Sequence, residues 1–471
     1  MFDNVLYQNQ AIEQLKSDID GKKLPPSILF SGPEYAGKGT AAMELARILC
    51  CENIQQQGTW NCACQSCIRH RNLFSPDLLL LGRRRFYEEI AASSDTFLRN
   101  PDNEGSKMLF IRSVRKLLSR FNSVLWEDDP RLGKLGSQIG ILEEELEDIE
   151  AGKAENSSGG PAALQGSSLA NEKKKKCESI IKKAAKLENE GLGEFIPIGQ
   201  IRRAAYWSRL LPLGKHKCII IENADKMQDG AKNSLLKILE EPPQHLTLIL
   251  TCSCSMSLLP TMLSRLREYR FSKRKDSEEA IVLSRIFREN KNNMYDNNPI
   301  KSYLGSFLPV SSLTLYFTGA FFIASVAAEA VREKKARGEE INKLLIELGK
   351  YSAPIAEEGN MGRPADNIKN ALEKILGTAE GFEIPGLFIR LLEQCCVLIS
   401  AWLRTGGDSL ETSAEPDHFQ VVRRGSPPEK TVWAELWLKE LKRSMTENDS
   451  FNITPFMALE RLSFALIKGM A

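Results

Sequence analysis

A glycine-rich segment near the amino terminus, Ser31 to Thr40 (SGPEYAGKGT), constrains the fold of this chain more than any other stretch. It follows the form GxxxxGK[ST], in which backbone N–H groups surround a phosphate, the lysine neutralises it and the hydroxyl holds Mg²⁺. Gly32, Gly37 and Lys38 stand at the expected positions, but Gly39 replaces the hydroxyl residue. The sequence therefore predicts phosphate binding and leaves nucleotide hydrolysis in question.

The flanking residues place this segment between a strand and a helix. Ser27 to Phe30 form a short apolar run, and apolar residues recur with helical spacing from Ala42 to Leu49. An ordinary glycine-rich turn between a strand and a helix is the alternative, because short motifs also match by chance. Thr40, one position after Gly39, is the nearest hydroxyl that could replace the missing one.

Length and composition indicate a globular protein of several domains. With 471 residues the chain is too long for one ordinary core and suggests about three domains. A formal net charge of +2 excludes a surface that holds nucleic acid by bulk charge alone. The opening residues carry no apolar signal segment, so we expect a cytoplasmic protein whose eleven cysteines are thiols or metal ligands.

The distribution of apolar runs predicts an α/β fold followed by helices. From Met1 to about Phe271, apolar runs alternate with helical patterns, as in a parallel sheet covered by helices. The candidate strands are Ser27–Phe30, Leu78–Leu81, Cys218–Ile221 and Leu246–Leu250. After Ser272 only helical spacing is found, which predicts an all-helical carboxyl-terminal part.

Residues 83–194 differ in composition and are interpreted as an inserted block. An acidic run at Ile141–Ile149 and a lysine-rich run at Lys173–Lys186 flank a stretch rich in glycine and serine at Ser157–Ser168. The opposite charges predict two antiparallel helices joined by a flexible loop. A solvated and partly disordered insertion is the alternative.

One uncharged stretch, Ser302 to Ala328, is long enough to span a bilayer. Pro309 and several serine, threonine and glycine residues interrupt it. We therefore interpret it as a helix that is buried or faces another subunit, and expect no contact with a membrane.

A second nucleotide-binding pattern begins at the strand Cys218–Ile221, which is followed by Glu222 and Asn223. In an active ATPase the first acid after this strand supports Mg²⁺ and the next polarises the attacking water. Asn223 cannot act as that base, and Glu222 is one methylene longer than the usual aspartate. Acids at a strand end are also common as solvated residues.

Two further segments carry a family resemblance. NSLLKILEEPP (Asn233 to Pro243) and LLPTMLSR (Leu258 to Arg265) closely resemble the clamp-loader branch of the AAA+ ATPases, which contains the delta-prime and gamma/tau subunits of bacterial DNA polymerase III. The opening residues and Ile196–Met227 are similar to the same family, so the resemblance covers about Phe2 to Phe271. A weaker match lies at Asn452–Leu462.

The resemblance implies a domain order and a set of partners. It implies an AAA+ P-loop NTPase domain with a parallel sheet at residues 1–271, a small helical lid at 272–335 and an all-α collar domain for oligomerisation at 336–471. The implied partners are the gamma/tau and delta subunits, the sliding clamp and primer-template DNA. The chain would then be part of the DNA polymerase III holoenzyme.

The resemblance also implies a role for Arg265. In the family, a Ser-Arg-Cys motif presents its arginine to ATP bound by the neighbouring subunit, where a guanidinium can pair with phosphate oxygens. This chain has Ser-Arg-Leu at this point, so the arginine is kept and the third position differs. An ordinary surface arginine, in a charged run with Arg267 and Arg270, is the alternative.

Four cysteines close in sequence suggest a structural zinc site of tetrahedral geometry. They are Cys51, Cys62, Cys64 and Cys67. The resemblance implies a small zinc module at about residues 50–67, but the spacing here is C-x-C-x₂-C, with Asn61 at an expected ligand position. Cys50 competes with Cys51 as first ligand, and His70 is a possible substitute. Buried cysteines without metal are the alternative.

Together these features predict a delta-prime-like subunit with little or no ATPase activity of its own, which supplies Arg265 in trans and helps to load the sliding clamp. ATP and Mg²⁺ would bind, if at all, at Gly32, Gly37, Lys38, Gly39, Thr40 and Glu222. The first alternative is an active gamma/tau-like motor in which Thr40 supplies the hydroxyl and Glu222 holds the metal. The second is an AAA+ protein with a partner outside replication.

Overall fold

The computed structural model describes residues 1–53, 58–82, 85–127, 129–151, 162–193, 195–289, 299–308, 310, 312–332, 391–392, 394–400, 432–451 and 455–468. The chain divides into two compact units, Met1–Leu304 and Gly305–Ala471. The predicted helices at Glu339–Tyr351 and Asp366–Ile375 lie outside the described residues. The domain boundaries at 271 and 335 stay predictions.

Five parallel strands form the sheet of the first unit, in the order β2-β3-β4-β1-β5. They are β1 Ser27–Ser31, β2 Leu78–Leu81, β3 Lys217–Ile221, β4 Leu246–Cys252 and β5 Arg267–Arg270. The predicted α/β class is confirmed, and the four predicted strands are present with bounds that shift by at most two residues. Because all strands run the same way, the loops after β1, β3 and β4 emerge at one edge of the sheet.

The fifth strand is not predicted by the sequence pattern. In β5, charged residues surround a single buried residue, Tyr269. The strand pairs with β1 at the edge of the sheet, with Ile28 opposite Arg267. Edge strands commonly carry charged side chains. The composition of β5 therefore resembles that of a surface loop, and the sequence pattern did not indicate a strand.

Helices connect the strands and cover both faces of the sheet. They are α1 Asn9–Asp20, α2 Lys38–Leu49, α3 Gln65–Arg71, α4 Phe86–Arg99, α5 Glu104–Leu118, α6 Ser123–Trp126, α7 Arg131–Glu150, α8 Ala162–Gly191, α9 Ile198–Arg209, α10 Asp229–Glu240, α11 Pro260–Leu263, α12 Asp276–Ile286 and α13 Pro299–Gly305. Short 3₁₀ turns lie at Ser119–Phe121, Ala224–Lys226 and Ser255–Ser257.

Each face of the sheet has its own hydrophobic core. Ile28 and Phe30 of β1 belong to the core that contains Leu45 of α2, whereas Leu29 belongs to the opposite core with Ile219 of β3. This alternation follows from the two-residue period of a strand. Because both faces are covered, the central strands are continuous apolar runs, which is why the sequence identified them.

The block at residues 83–194 contains the predicted pair of charged helices. Ion pairs join Asp148 of α7 to Lys176 of α8 at 2.9 Å and Glu145 to Lys183 at 2.6 Å. The earlier residue of α7, Glu145, pairs with the later residue of α8, Lys183. The two helices are therefore antiparallel, as predicted. Leu142 of α7 is buried in the same core as β1 and β3. The block therefore packs on the sheet instead of standing apart from it.

The described part of the second unit is helical. It contains α14 Ser312–Arg332, helical residues at 391–392 and 394–400, α15 Val432–Phe451 and α16 Pro455–Lys468. The Trp437 indole N–H donates to the Leu466 carbonyl at 2.8 Å and joins α15 to α16. No strand lies among the described residues of this unit, in agreement with the all-helical prediction.

The uncharged stretch at 302–328 contributes most of α14. Phe322, Ile323 and Val326 of this helix are buried, which agrees with its interpretation as a packed helix. Among the helices that the structure describes, none has the combination of length and apolar character that crossing a membrane needs.

Candidate functional site

The glycine-rich loop joins the end of β1 to the start of α2. Gly32 and Gly37 have φ values of 140° and 94°, in a region that residues with a side chain rarely adopt. A Cβ atom on Gly32 would also lie 2.2 Å from the Phe271 carbonyl oxygen. Because α2 begins at Lys38, the unpaired N–H groups of its first turn adjoin the loop. The backbone thus has the conformation that phosphate binding needs, and the binding itself stays a prediction.

Lys38 turns its ammonium group back onto the loop. The Lys38 Nζ atom donates to the carbonyl oxygens of Gly32 and Pro33, to the latter at 2.6 Å. The residue is 7% exposed, and burial lowers its pKa because the charged form loses hydration, against the opposing effect of nearby anionic groups. A phosphate would have to replace these carbonyl oxygens as the partner of the lysine.

The two positions after Lys38 do not supply a buried hydroxyl. Gly39 has no side chain, and Thr40 is exposed on α2. In a phosphate-binding loop, the hydroxyl at the position of Gly39 is the one that reaches Mg²⁺. This loop therefore lacks the hydroxyl group that a phosphate-binding loop usually provides as a ligand to Mg²⁺.

Glu222, the acid after β3, is held in a buried ion pair with Arg120. The Arg120 Nη2 atom donates to Glu222 Oε2, and both side chains are buried. Arg120 Nη1 also donates to the Leu81 carbonyl at 2.9 Å. The Trp126 indole N–H in turn donates to the Arg120 carbonyl at 2.7 Å and fixes the backbone that carries the arginine. This pair was not predicted, because Arg120 lies in the block at 83–194.

The strand order shows where this ion pair lies relative to the loop. β3, which ends before Glu222, has β2 on one side and β4 on the other, and β4 separates it from β1. Arg120 is bonded to the last residue of β2, Leu81, so the arginine lies on the side of Glu222 that is remote from β1. The Glu222 carboxylate is thereby bonded on the side of β2, although its charge still acts on the pKa of Lys38.

The next residues after β3 provide one polar group that the sequence did not single out as functional. Asn223 has a φ of 53°, and its N–H donates to Thr251 Oγ1 at 3.2 Å. Asp225 has a buried carboxylate oxygen, Oδ1, without a hydrogen-bond partner among the described residues. Its charge is one of those that act on the pKa of Lys38. Asp225 is therefore, beside Glu34 of the loop itself, a carboxylate that acts on Lys38.

Arg274 fastens the loop to the amino-terminal segment and was also missed. Its guanidinium donates to the Leu6 carbonyl at 3.0 and 3.1 Å and to the Tyr35 carbonyl within the loop. The residue is buried, and burial lowers its pKa. Arg274 follows β5, and because the sequence pattern did not identify that strand, nothing placed this arginine beside the loop.

Arg265 lies between α11 and β5 at the surface of the first unit. Its side chain is 36% exposed and pairs with Glu240 at 3.1 Å. It also donates to the Thr261 carbonyl at 2.7 Å. These contacts keep the guanidinium at the surface, where a neighbouring molecule can reach it. The role of the arginine in a neighbour's site stays a prediction.

The four predicted zinc ligands come together in space. The Sγ atoms of Cys51, Cys62, Cys64 and Cys67 all lie within 4.8 Å of one another. The Sγ of Cys51 lies 3.7 Å from that of Cys62 and 3.9 Å from that of Cys64. A tetrahedral zinc with Zn–S bonds of about 2.3 Å separates its sulfurs by about 3.8 Å. The cluster thus has the size and the donor atoms of a structural zinc site.

The choice between Cys50 and Cys51 as first ligand is resolved by the position of their sulfurs. Cys51 belongs to the four-sulfur group, whereas the Cys50 thiol donates to the His216 carbonyl at 3.1 Å. The candidate substitute ligand, His70, is buried but is not part of the group. The unusual C-x-C-x₂-C spacing therefore still brings four thiols together.

Polar groups around the thiols act differently on the individual cysteines. Arg47 Nη1 donates to Cys67 Sγ at 3.2 Å, and the Cys67 N–H donates to Cys64 Sγ at 3.4 Å. Burial opposes ionisation of Cys64, but backbone N–H groups and neighbouring thiols outweigh it and lower the pKa to about 6. Zinc binds thiolates, so the low pKa of Cys64 suits metal binding, whereas burial raises the pKa of Cys51 and of Cys67, whose protons a bound metal would have to displace.

Comparisons with known proteins agree with the family resemblance. A family model described as DNA polymerase III, delta subunit, matches residues 7–125 and 153–275, just over half of the chain. A crystal structure of a DNA polymerase III gamma subunit-related protein from Thermotoga maritima is 16% identical, covers 59% of this chain and 81% of its own, and has a TM-score of 0.25. A TM-score this low carries no argument about function. The unmatched residues 126–152 include α7.

Proposed function

The chain belongs to the DNA polymerase III delta subunit family and is a clamp-loader subunit of the delta-prime type, and from this premise we propose that it does not hydrolyse ATP itself but completes the ATPase site of a neighbouring subunit. The proposal has two parts, a silent site in this chain and an arginine offered to another chain. Each part has its own support and its own test.

The observation that carries the first part is the ion pair between Arg120 and Glu222. Magnesium needs oxygen ligands in near-octahedral geometry, and Glu222 is already bound to a guanidinium that cannot lose its proton. Releasing Glu222 would break a buried ion pair, at a cost of about 3–5 kcal/mol. Gly39 supplies no hydroxyl, and Asn223 is not a base. Positions 39, 222 and 223 therefore do not supply the groups that hold the metal and activate water in an active ATPase.

The alternative, an active motor of the gamma/tau type, is supported by the loop backbone and by Lys38. Its two remaining requirements are a hydroxyl from Thr40 and a metal ligand from Glu222. Thr40 is exposed and Glu222 is paired with Arg120. These contacts favour the silent site over the active motor.

The second part assigns Arg265 the role of an arginine finger in trans. The accessible guanidinium, its place before β5 and its motif Ser-Arg-Leu support this role. Its partners are Glu240, the Thr261 carbonyl and the Ser264 hydroxyl, all of exposed residues, so exchanging them for a phosphate leaves no buried charge unpaired. An arginine supplied by a neighbour accelerates phosphoryl transfer by about 10³–10⁵-fold in other NTPases.

The remaining assignments follow the family. We propose that the gamma/tau and delta subunits are the partners, that the helical second unit is the collar through which they assemble, and that the sliding clamp and primer-template DNA are contacted in the assembled loader. The four-cysteine group would hold a structural zinc. ATP or ADP would bind at Gly32, Gly37 and Lys38 without turnover.

Nucleotide binding and hydrolysis by the isolated chain, measured on one preparation, test the silent site. We expect no turnover above that of a Lys38→Ala control, whether or not labelled ATP binds. Turnover by the wild-type chain that disappears in the Lys38→Ala variant would replace the proposal with the active motor. The Arg265 part is tested separately in the reconstituted loader.

A further inference from the structure

Three arginines from three different helices surround the ring of Trp60. The guanidinium carbons of Arg47, Arg71 and Arg112 lie 5.6, 5.9 and 5.6 Å from the ring centroid. Arg47 belongs to α2 and Arg71 to α3, next to the cysteines, whereas Arg112 comes from α5 in the distant block. We call these three residues the Trp60 arginine cluster.

Only one of the three charges is balanced by a carboxylate. Arg47 forms a buried bidentate pair with Glu44, at 2.6 and 2.9 Å. Arg71 donates to the carbonyl oxygens of Trp60 and Cys62, which carry no net charge. Among the described residues no carboxylate forms an ion pair with Arg71 or Arg112. In the part of the chain that the structure describes, these two positive charges are therefore not in ion-pair contact with a carboxylate.

Two negative charges would balance Arg71 and Arg112, and the adjacent zinc site with four thiolates would carry this charge. A divalent zinc with four thiolate ligands carries two negative charges in total. The arginine cluster reaches this site directly, since Arg47 bonds Cys67 Sγ at 3.2 Å and Arg71 bonds the Cys62 carbonyl at 2.9 Å. With zinc and four thiolates in place, Arg71 and Arg112 are balanced.

Because Arg112 is partly buried, the balance of charges around it affects the free energy of zinc binding. Burial lowers the pKa of Arg112, because the guanidinium has lost much of its hydration, and the nearby charge of Arg71 lowers it further, against the opposing effect of Glu44 and Glu89. Unit charges about 10 Å apart interact by about 1–2 kcal/mol at an effective dielectric constant of about 20. A doubly charged site thus gains appreciably from each arginine that it faces.

We propose that the Trp60 arginine cluster is the counter-ion of a zinc tetrathiolate, and that Arg112 of α5, which lies outside the cysteine module, stabilises the bound metal. The zinc site would then join the cysteine module to α5 by charge as well as by contact. This inference requires the zinc site but does not depend on the clamp-loader role.

Zinc affinity of the full-length chain tests the proposal, measured by competition with the chelator 4-(2-pyridylazo)resorcinol. We expect Arg112→Gln to weaken zinc binding by about tenfold, as is common when a group outside the ligand shell is removed. Arg112→Lys keeps the positive charge and should bind zinc more tightly than Arg112→Gln, since the proposed effect is one of charge. Cobalt spectra of each variant should keep the tetrahedral thiolate pattern.

Arg69→Gln is the matched control, because Arg69 is exposed on α3 and lies two residues from Cys67 but outside the Trp60 cluster. It should leave zinc affinity unchanged within about twofold. Wild-type affinity in the Arg112→Gln variant, or an equal loss in Arg69→Gln, would overturn the proposal. Thermal unfolding of the zinc-loaded variants checks that the Arg112→Gln chain is folded, and Arg112→Met provides a second neutral variant.

Discussion

Arg120 and Glu222 form a buried ion pair between residues 102 positions apart in the chain. The arginine lies in the 3₁₀ turn Ser119–Phe121 that follows α5, and the glutamate follows β3. The pair therefore ties the block at 83–194 to the strand whose acid would otherwise hold a metal. It is a structural contact, and in the proposed function it is also the reason why this chain does not hydrolyse ATP.

Removal of the arginine alone should destabilise the fold strongly. In Arg120→Met the buried Glu222 carboxylate loses this ion pair, which costs about 3–5 kcal/mol. In the double variant Arg120→Met/Glu222→Gln no charge is left unpaired, and most of the loss should be recovered. Urea unfolding followed by circular dichroism measures both. Equal stability of the two variants would show that the ion pair is not what Arg120 contributes.

The zinc site should distinguish two adjacent cysteines. Cys51→Ser removes a sulfur of the four-sulfur group, so the purified chain should lose most of its zinc. Cys50→Ser should retain one zinc per chain, because Cys50 bonds the His216 carbonyl and a serine can donate in its place. Metal content by mass spectrometry measures both variants. Retention of zinc in Cys51→Ser would contradict the assigned ligand set.

Acid should destabilise the first unit through His216. Burial, together with the positive charges of His245 and Lys215, lowers the pKa of His216 to about 4, compared with about 6.5 in an unfolded chain. Between these pH values the unfolded chain binds a proton that the folded chain does not, so stability falls as the pH is lowered. The full effect is about 3 kcal/mol.

A series of urea unfolding curves from pH 7 to pH 4.5 tests this prediction. His216→Gln can keep a hydrogen bond to Thr247, which His216 contacts at 2.8 Å. The variant should lose stability less steeply than the wild type as the pH falls. Parallel curves for the two proteins would exclude His216 as the source of the pH dependence.

Two glycines should respond to alanine in opposite directions. Gly32→Ala places a Cβ 2.2 Å from the Phe271 carbonyl oxygen at a φ of 140°, so we expect a loss of several kcal/mol, about 2 or more. Gly133 lies within α7 with nothing within 4 Å of an added Cβ. Gly133→Ala should stabilise the chain by about 0.5–1 kcal/mol. Thermal unfolding compares them, and a neutral Gly32→Ala would refute the close approach.

Local patterns explain what the sequence predicted well. The segment from Ser27 to Leu49 contains a buried strand, a loop that needs glycine and an apolar helix, all within one continuous stretch. Likewise the opposite charges at 141–149 and 173–186 identified α7 and α8 as partners. In each case, the residues that interact are close in sequence or share one simple period.

Contacts between distant segments explain what was missed. Arg120 is one of many arginines, and nothing in its neighbourhood shows that it meets Glu222. Arg274 follows β5, an edge strand that the sequence pattern did not indicate because most of its residues are charged. The choice between Cys50 and Cys51 depends on the direction of each side chain just after α2 ends at Leu49, which spacing alone does not define.

The central claim is that this chain completes a neighbour's ATPase site with Arg265. The most direct measurement is the DNA-stimulated ATPase of a loader reconstituted with wild-type or Arg265→Ala chains, with Arg270→Ala as control, because Arg270 is an exposed arginine nearby. We predict that turnover at the site served by Arg265 falls by about 10³-fold or more, while Arg270→Ala retains wild-type rates. Equal rates for wild-type and Arg265→Ala loaders would contradict the account.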